Sequence, residues 1–159
     1  MATQMSAAKL GQVTGEMRAV ARAEGVPLRK ILEGVAQGTI VIAYSPRHQG
    51  ARPLGIGEGL RTKVNANLGT SPDLCDPDLE VEKARVAVGY GADTVMDLST
   101  GGDLDEVRRR ILEAADIPLG TVPVYQAAVE AARSRGAIVD MTEDDLFGTI
   151  EKHARDGVA

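Results

Sequence analysis

Three short segments carry the side chains best suited to hold a small polar molecule. The first ends in Asn65-Ala66-Asn67, the second in Met96-Asp97 and the third in Pro123-Val124-Tyr125. Side chains alternate along a strand, so Asn65 and Asn67 share a face. Asn is a poor strand former, and two carboxamides on one face offer donors and acceptors to a polar ligand. A turn-forming or backbone-pairing role is the alternative for this pair. Taken singly, Met96 reads as a core side chain and Tyr125 as a packed ring with its hydroxyl near water. Their position singles them out, because parallel β/α folds bind ligands at the carboxyl ends of their strands.

Other candidate motifs are weaker. Asp97-Leu98-Ser99-Thr100-Gly101-Gly102-Asp103 could offer backbone amides to an anion at a helix amino terminus. A helix start capped by Asp103 is the simpler reading. Gly55-Ile56-Gly57-Glu58-Gly59 has Leu60 where a G-x-G-x-x-G fingerprint needs its last glycine, so it reads as a flexible turn. No phosphate-binding loop and no H-E-x-x-H is present. His48 and His153 lie far apart in sequence and read as surface residues. Cys75 is the only cysteine. It forms no intrachain disulfide, and one thiolate cannot hold zinc or an iron–sulfur cluster.

Composition narrows the class further. Net charge is −5, with no basic stripe and no interleaving of aromatic and basic residues, so no nucleic-acid partner is expected. Arg108-Arg109-Arg110 lies beside acidic residues in a predicted helix and reads as a solvated face. No stretch approaches the ~20 apolar residues of a membrane span, and Met1 to Gly11 has no apolar signal region. A cytoplasmic protein with no membrane partner is expected. There are 18 glycines, and aromatics are 3% of the chain. Small and aliphatic residues must therefore form the core, as suits close helix–sheet packing.

The elements that would position these residues follow from periodicity. Residues 1–60 read as a helical and loop segment. Thr14 caps a helix to Glu24 with Met17, Val20 and Ala21 inward. Pro27 opens a second helix, Leu28 to Gln37, which Gly38 ends. Thr39 to Ala43 is a predicted strand, and Tyr44 to Gly59 a long loop. Residues 61–159 are more regular. Predicted strands at Lys63–Leu68, Thr94–Leu98 and Leu119–Val124 alternate with helices from Asp76 to Gly89, from Asp103, and from Tyr125 to Ser134. Glu106 stands at capping-box spacing from Asp103. Leu104, Val107, Ile111 and Leu112 form the stripe of a helix packed on a sheet. A final helix capped by Thr142 turns Leu146, Phe147, Ile150 and Ala154 inward. The alternation is that of a parallel α/β fold. Both a doubly wound sheet and a TIM barrel begin this way. A barrel needs eight strands, and the last helix feeds no further strand, so the pattern reads as a fold cut off in progress.

The same segments carry a family resemblance. Lys63-Val64-Asn65-Ala66-Asn67-Leu68-Gly69-Thr70-Ser71 is similar to the start of the barrel in phosphomethylpyrimidine synthases. Residues Gly91 to Gly102 resemble the family's second strand and loop, and Gly120 to Ala127 its third. Met96 follows Asn67 by 29 positions, and Tyr125 follows Met96 by the same interval. The resemblance runs from about Gln4 to the last residue.

It implies an α/β fold: a helical amino-terminal segment, then the first three β/α units of a truncated (βα)8 TIM-type barrel. It implies the conversion of 5-aminoimidazole ribonucleotide to the hydroxymethylpyrimidine phosphate of thiamine by a radical S-adenosylmethionine lyase. Asn67, Met96 and Tyr125 correspond to residues that bind the ribonucleotide. The complete family enzyme uses a [4Fe–4S] cluster, S-adenosylmethionine and zinc, and the resemblance suggests a homodimer. The metal and cluster ligands of the family find no counterpart in these 159 residues, so an inactive fragment is expected. Two alternatives stand beside this reading. One is the 5-hydroxybenzimidazole synthase of anaerobic cobalamin assembly, which uses the same ribonucleotide. The other is a non-catalytic binding fragment that pairs with a separate remainder. The open sheet edge then predicts self-association of the isolated chain.

Overall fold

The computed structural model describes residues 3–159. The chain forms two compact units. One comprises the described residues up to Tyr44 together with Arg52–Lys63, and the other comprises Ser45–Ala51 with Val64–Ala159.

The first unit holds helices α1 (Gln4–Lys9), α2 (Gly15–Glu24) and α3 (Leu28–Gln37) and strands β1 (Ile40–Ala43) and β2 (Leu54–Gly57). Thr14 caps α2, its hydroxyl accepting the Met17 amide at 3.2 Å. Met17, Val20 and Ala21 are buried as the periodicity predicts, against Ile31 and Val35 of α3 and Ile40 of β1. The expected Tyr44–Gly59 loop contains a strand, because β2 pairs antiparallel with β1 from Ile40↔Gly57 to Ala43↔Leu54. Its glycines hid it from a propensity reading. They are there for space: a Cβ at Gly55 would collide with Val20, and one at Gly57 with the Thr39 carbonyl.

The second unit is an α/β arrangement with a small parallel sheet. Its strands β3 (Asn65–Leu68), β4 (Thr94–Asp97) and β5 (Leu119–Thr121) stand in sequence order. Helices α4 (Pro77–Gly89), α5 (Leu104–Ala114), α6 (Pro123–Arg135) and α7 (Glu143–Asp156) complete it. Its core joins Leu68, Val95 and Leu119 of the strands to Ala84 of α4 and Val107, Ile111 and Leu112 of α5. β5 ends sooner than the predicted Val124. Pro123 occupies the first turn of α6, where its fixed φ suits a helix and its missing N–H costs nothing.

Three expectations need correction. α7 buries Thr149 and His153, while Phe147 is 65% and Ile150 43% exposed and Ala154 is exposed. Hydrogen bonding overrides the apolar stripe here. The Thr149 hydroxyl donates to the Asp145 carbonyl at 2.8 Å, and His153, buried rather than at the surface, joins a buried polar node. Arg108, read as part of a solvated face, is 1% exposed at the centre of that node. It donates through Nε to Asp156 at 2.9 Å and through Nη2 to Asp105 at 2.5 Å. His48 is buried rather than at the surface. Its Nε2 lies 2.9 Å from the Leu112 carbonyl oxygen and 2.8 Å from that of Ala115. An imidazole N–H there satisfies carbonyls left open at the end of α5, which has no basic residue in its last turn. Among the described residues, no helix is long and apolar enough to cross a membrane.

Candidate functional site

The parallel sheet has two unlike faces. One carries Leu68, Val95 and Leu119 into the core beneath α4 and α5. The other carries Asn65, Asn67, Thr94, Met96 and Gly120, since alternation sends these side chains the opposite way. Asn65 and Asn67 are exposed, and Thr94, Met96 and Gly120 are half-buried.

Register brings the members of this face together. Asn65 pairs with Thr94, Asn67 with Met96, and Met96 with Gly120. Asn67, Met96 and Gly120 thus form one row across three strands. The absence of a side chain at Gly120 makes room for Met96, because a Cβ there would lie 3.0 Å from the Met96 Cε. The Thr94 hydroxyl donates to Asn65 Oδ1 at 2.8 Å, and Asn65 Nδ2 donates to Asn67 Oδ1 at 2.8 Å. Tyr125 is not in the row. It stands in the first turn of α6, 43% exposed, beyond the end of β5.

The loops leaving β3 and β4 are tied together. The Ser99 hydroxyl accepts the Thr70 amide at 3.0 Å, the Thr70 hydroxyl donates to the Gly101 carbonyl at 2.7 Å, and the Thr100 amide donates to the Thr70 carbonyl at 2.9 Å. Two buried carboxylates hold these loops from the helix side. Glu80 of α4 accepts the Gly69 amide at 2.7 Å. Asp97 accepts the Ser99 amide at 2.9 Å and the Ser99 hydroxyl at 2.5 Å. Burial pushes the Asp97 carboxyl above the usual carboxylate range, against the opposing pull of the Ser99 donors and the Arg108 charge. Asp103 caps α5 by accepting the Asp105 and Glu106 amides, each at 3.1 Å. Asp103 is thus the helix cap of the simpler sequence reading, and the Asp105 and Glu106 amides are already used.

Sequence reasoning passed over Thr94, Gly120 and Glu80, and named Asp97 only as a strand end. A signal for Thr94 was present, since it follows Asn65 by the same 29 positions that separate Met96 from Asn67. Glu80 had no such signal, because a Glu on a helix is normally solvated.

This arrangement can bind a polar molecule through amides, a thioether and a nearby phenol. It does not fit a metal centre. Cys75 is free and exposed, and among the described residues no group of three or more His, Cys, Asp or Glu is placed to hold a metal ion.

A helix-backed parallel sheet with a polar row on its exposed face defines an α/β protein. The chain belongs to the Radical SAM ThiC family, which matches residues 3–159. It is 60% identical over 147 residues to a phosphomethylpyrimidine synthase of Methanopyrus kandleri, covering 92% of this chain and 34% of that protein. It is 57% identical over 157 residues to the Thermus thermophilus protein of that name and 54% over 156 residues to that of Pyrococcus abyssi. Each of those matches covers 98% of this chain and 36% of the relative. The chain thus spans about a third of the length of these relatives.

Proposed function

We propose that this chain supplies one wall of the ribonucleotide site of a phosphomethylpyrimidine synthase. The reaction is the conversion of 5-aminoimidazole ribonucleotide to 4-amino-5-hydroxymethyl-2-methylpyrimidine phosphate in thiamine biosynthesis, by a lyase using S-adenosylmethionine. The row formed by Asn67, Met96 and Gly120 on the exposed sheet face carries the reading. On this view residues 61–159 are the first three β/α units of an eightfold barrel, the exposed face looks into the barrel, and residues 1–60 are a separate helical segment. The row then lies at the strand carboxyl ends, where such barrels bind substrates.

The residues here bind and orient. Asn67 hydrogen-bonds the ribonucleotide, Met96 packs its polarisable thioether against the ring, and Tyr125 offers its phenol from the first turn of α6. The [4Fe–4S] cluster and zinc need ligands that these residues do not include, so the isolated chain binds without turnover. In the complete cytoplasmic enzyme, a homodimer, the radical step falls to groups outside this wall.

Calorimetric titration of the protein with 5-aminoimidazole ribonucleotide tests this. Wild type should bind, and Asn67→Ala should weaken binding by about 1–3 kcal/mol, the cost of a lost buried hydrogen bond. No binding by wild type, or an unchanged Kd in Asn67→Ala, refutes it.

A further inference from the structure

Thr94 and Asn65 stand behind Asn67 in a line of donors and acceptors. The line starts at a hydroxyl: Thr94 Oγ1 donates to Asn65 Oδ1 at 2.8 Å. With its oxygen engaged, Asn65 turns its nitrogen forward, and Nδ2 donates to Asn67 Oδ1 at 2.8 Å. Each amide oxygen therefore faces back toward Thr94, and each amide nitrogen faces away from it. The last group in the line is the Nδ2 of Asn67, on an exposed side chain. A carboxamide free to turn can offer either an acceptor or a donor. Asn67, held from behind, offers N–H.

The fold does not need this line. The core lies on the opposite face, under α4 and α5, and water would satisfy exposed amides equally well. A small side chain at each of positions 65, 67 and 94 would leave the core contacts of Leu68 and Val95 in place. What the line does is select one of two orientations of Asn67 before a ligand arrives, which lowers the ordering cost of binding.

We propose that Thr94 and Asn65 are positioning residues that lock the Asn67 carboxamide with its N–H group forward, so that this face takes a ligand atom that accepts hydrogen bonds, such as an unprotonated ring nitrogen or a hydroxyl or phosphate oxygen. The ligand half of this inference rests on the reading of Asn67 as a ribonucleotide contact. The relay itself does not.

Two measurements on the protein separate these parts. Thr94→Val keeps the branched shape and removes the hydroxyl. In nitrogen-15 NMR spectra without ligand, Thr94→Val should shift and broaden the side-chain amide signals of both Asn65 and Asn67, and Thr94→Ser should restore them. Asn67 amide signals that do not move in Thr94→Val overturn the relay. In calorimetric titrations with 5-aminoimidazole ribonucleotide, Thr94→Val and Asn65→Ala should each raise Kd roughly 3- to 10-fold, with Thr94→Ser near wild type. If Asn67→Ala weakens binding while Thr94→Val binds like wild type, positioning is overturned and the binding reading stands. If wild type does not bind, the binding reading falls and takes the ligand half with it, while the NMR comparison still decides the relay.

Discussion

Arg108 and His153 converge on a single atom, the Gln126 Oε1, at 2.7 Å and 2.8 Å. That oxygen is an acceptor because the Gln126 amide nitrogen donates to Asp105 and Glu130, each at 2.7 Å. The His153 Nε2 also lies 3.0 Å from the Arg108 Nη1, and its Nδ1 lies 2.8 Å from the Thr121 hydroxyl oxygen. The node joins α5, α6 and α7 to the end of β5.

Acid should loosen this node. Burial, and then the neighbouring Arg108 charge, push the His153 ring down to about 4. In the unfolded chain an imidazole titrates near ~6.5. Between these values the unfolded state binds the extra proton, so stability falls as pH falls. The contribution is whole above about pH 6.5, is lost progressively toward pH 4, and amounts to about 3 kcal/mol. Urea denaturation at pH 7.5 and pH 4.5 measures it. His153→Gln should flatten the dependence, and an unchanged slope in that variant would place its origin elsewhere.

The two neighbouring arginines should behave differently on substitution. Arg108→Met takes the arginine from Asp156 and from Asp105, which keeps Lys152 and Gln126, and should cost about 1.5–3 kcal/mol through lost charge-assisted hydrogen bonds. Arg109 is exposed and, among the described residues, pairs with Glu113 alone, in the same helix, so Arg109→Ala should stay within about 0.5 kcal/mol. Midpoints of urea denaturation for both variants settle the comparison, and equal losses would contradict the buried node.

Glu80 should govern the loop after β3. Glu80→Ala strands the Gly69 amide and should cost about 1–3 kcal/mol. Hydrogen exchange should speed up at Gly69, Thr70 and Ser71 before it does in α4. Uniform acceleration across the unit would mean that Glu80 supports global packing instead.

Two glycine-to-alanine changes should have opposite signs. A Cβ at Gly101 would collide with the Ser71 carbonyl, whereas one at Gly148 meets nothing within 4 Å. Gly101→Ala should destabilise by about 1–3 kcal/mol through overpacking of the joined loops. Gly148→Ala, within α7, should stabilise by about 0.5–1 kcal/mol. Thermal melting of the pair is the measurement, and the same sign for both would refute the loop contact.

Much of this protein was legible in its amino-acid order. Caps, Pro and Gly act locally, so Thr14, Asp76, Asp103 and Thr142 marked helix starts that the structure keeps. The apolar stripe of α5 and the alternation of strand and helix marked the parallel sheet, because burial of one face dictates its period. The Asn pair stood out because amides are unexpected in a strand. Tertiary structure alone decided the rest. Periodicity cannot reveal that Arg108, His48 and His153 are buried, since each is held in part by a partner 18 or more residues away in sequence. Nor can it reveal that α7 turns Phe147 outward, or that a strand hides in Gly55 and Gly57, where missing side chains let a neighbour approach. Sequence fixes what each residue can offer, and only the packed chain decides which partner meets it.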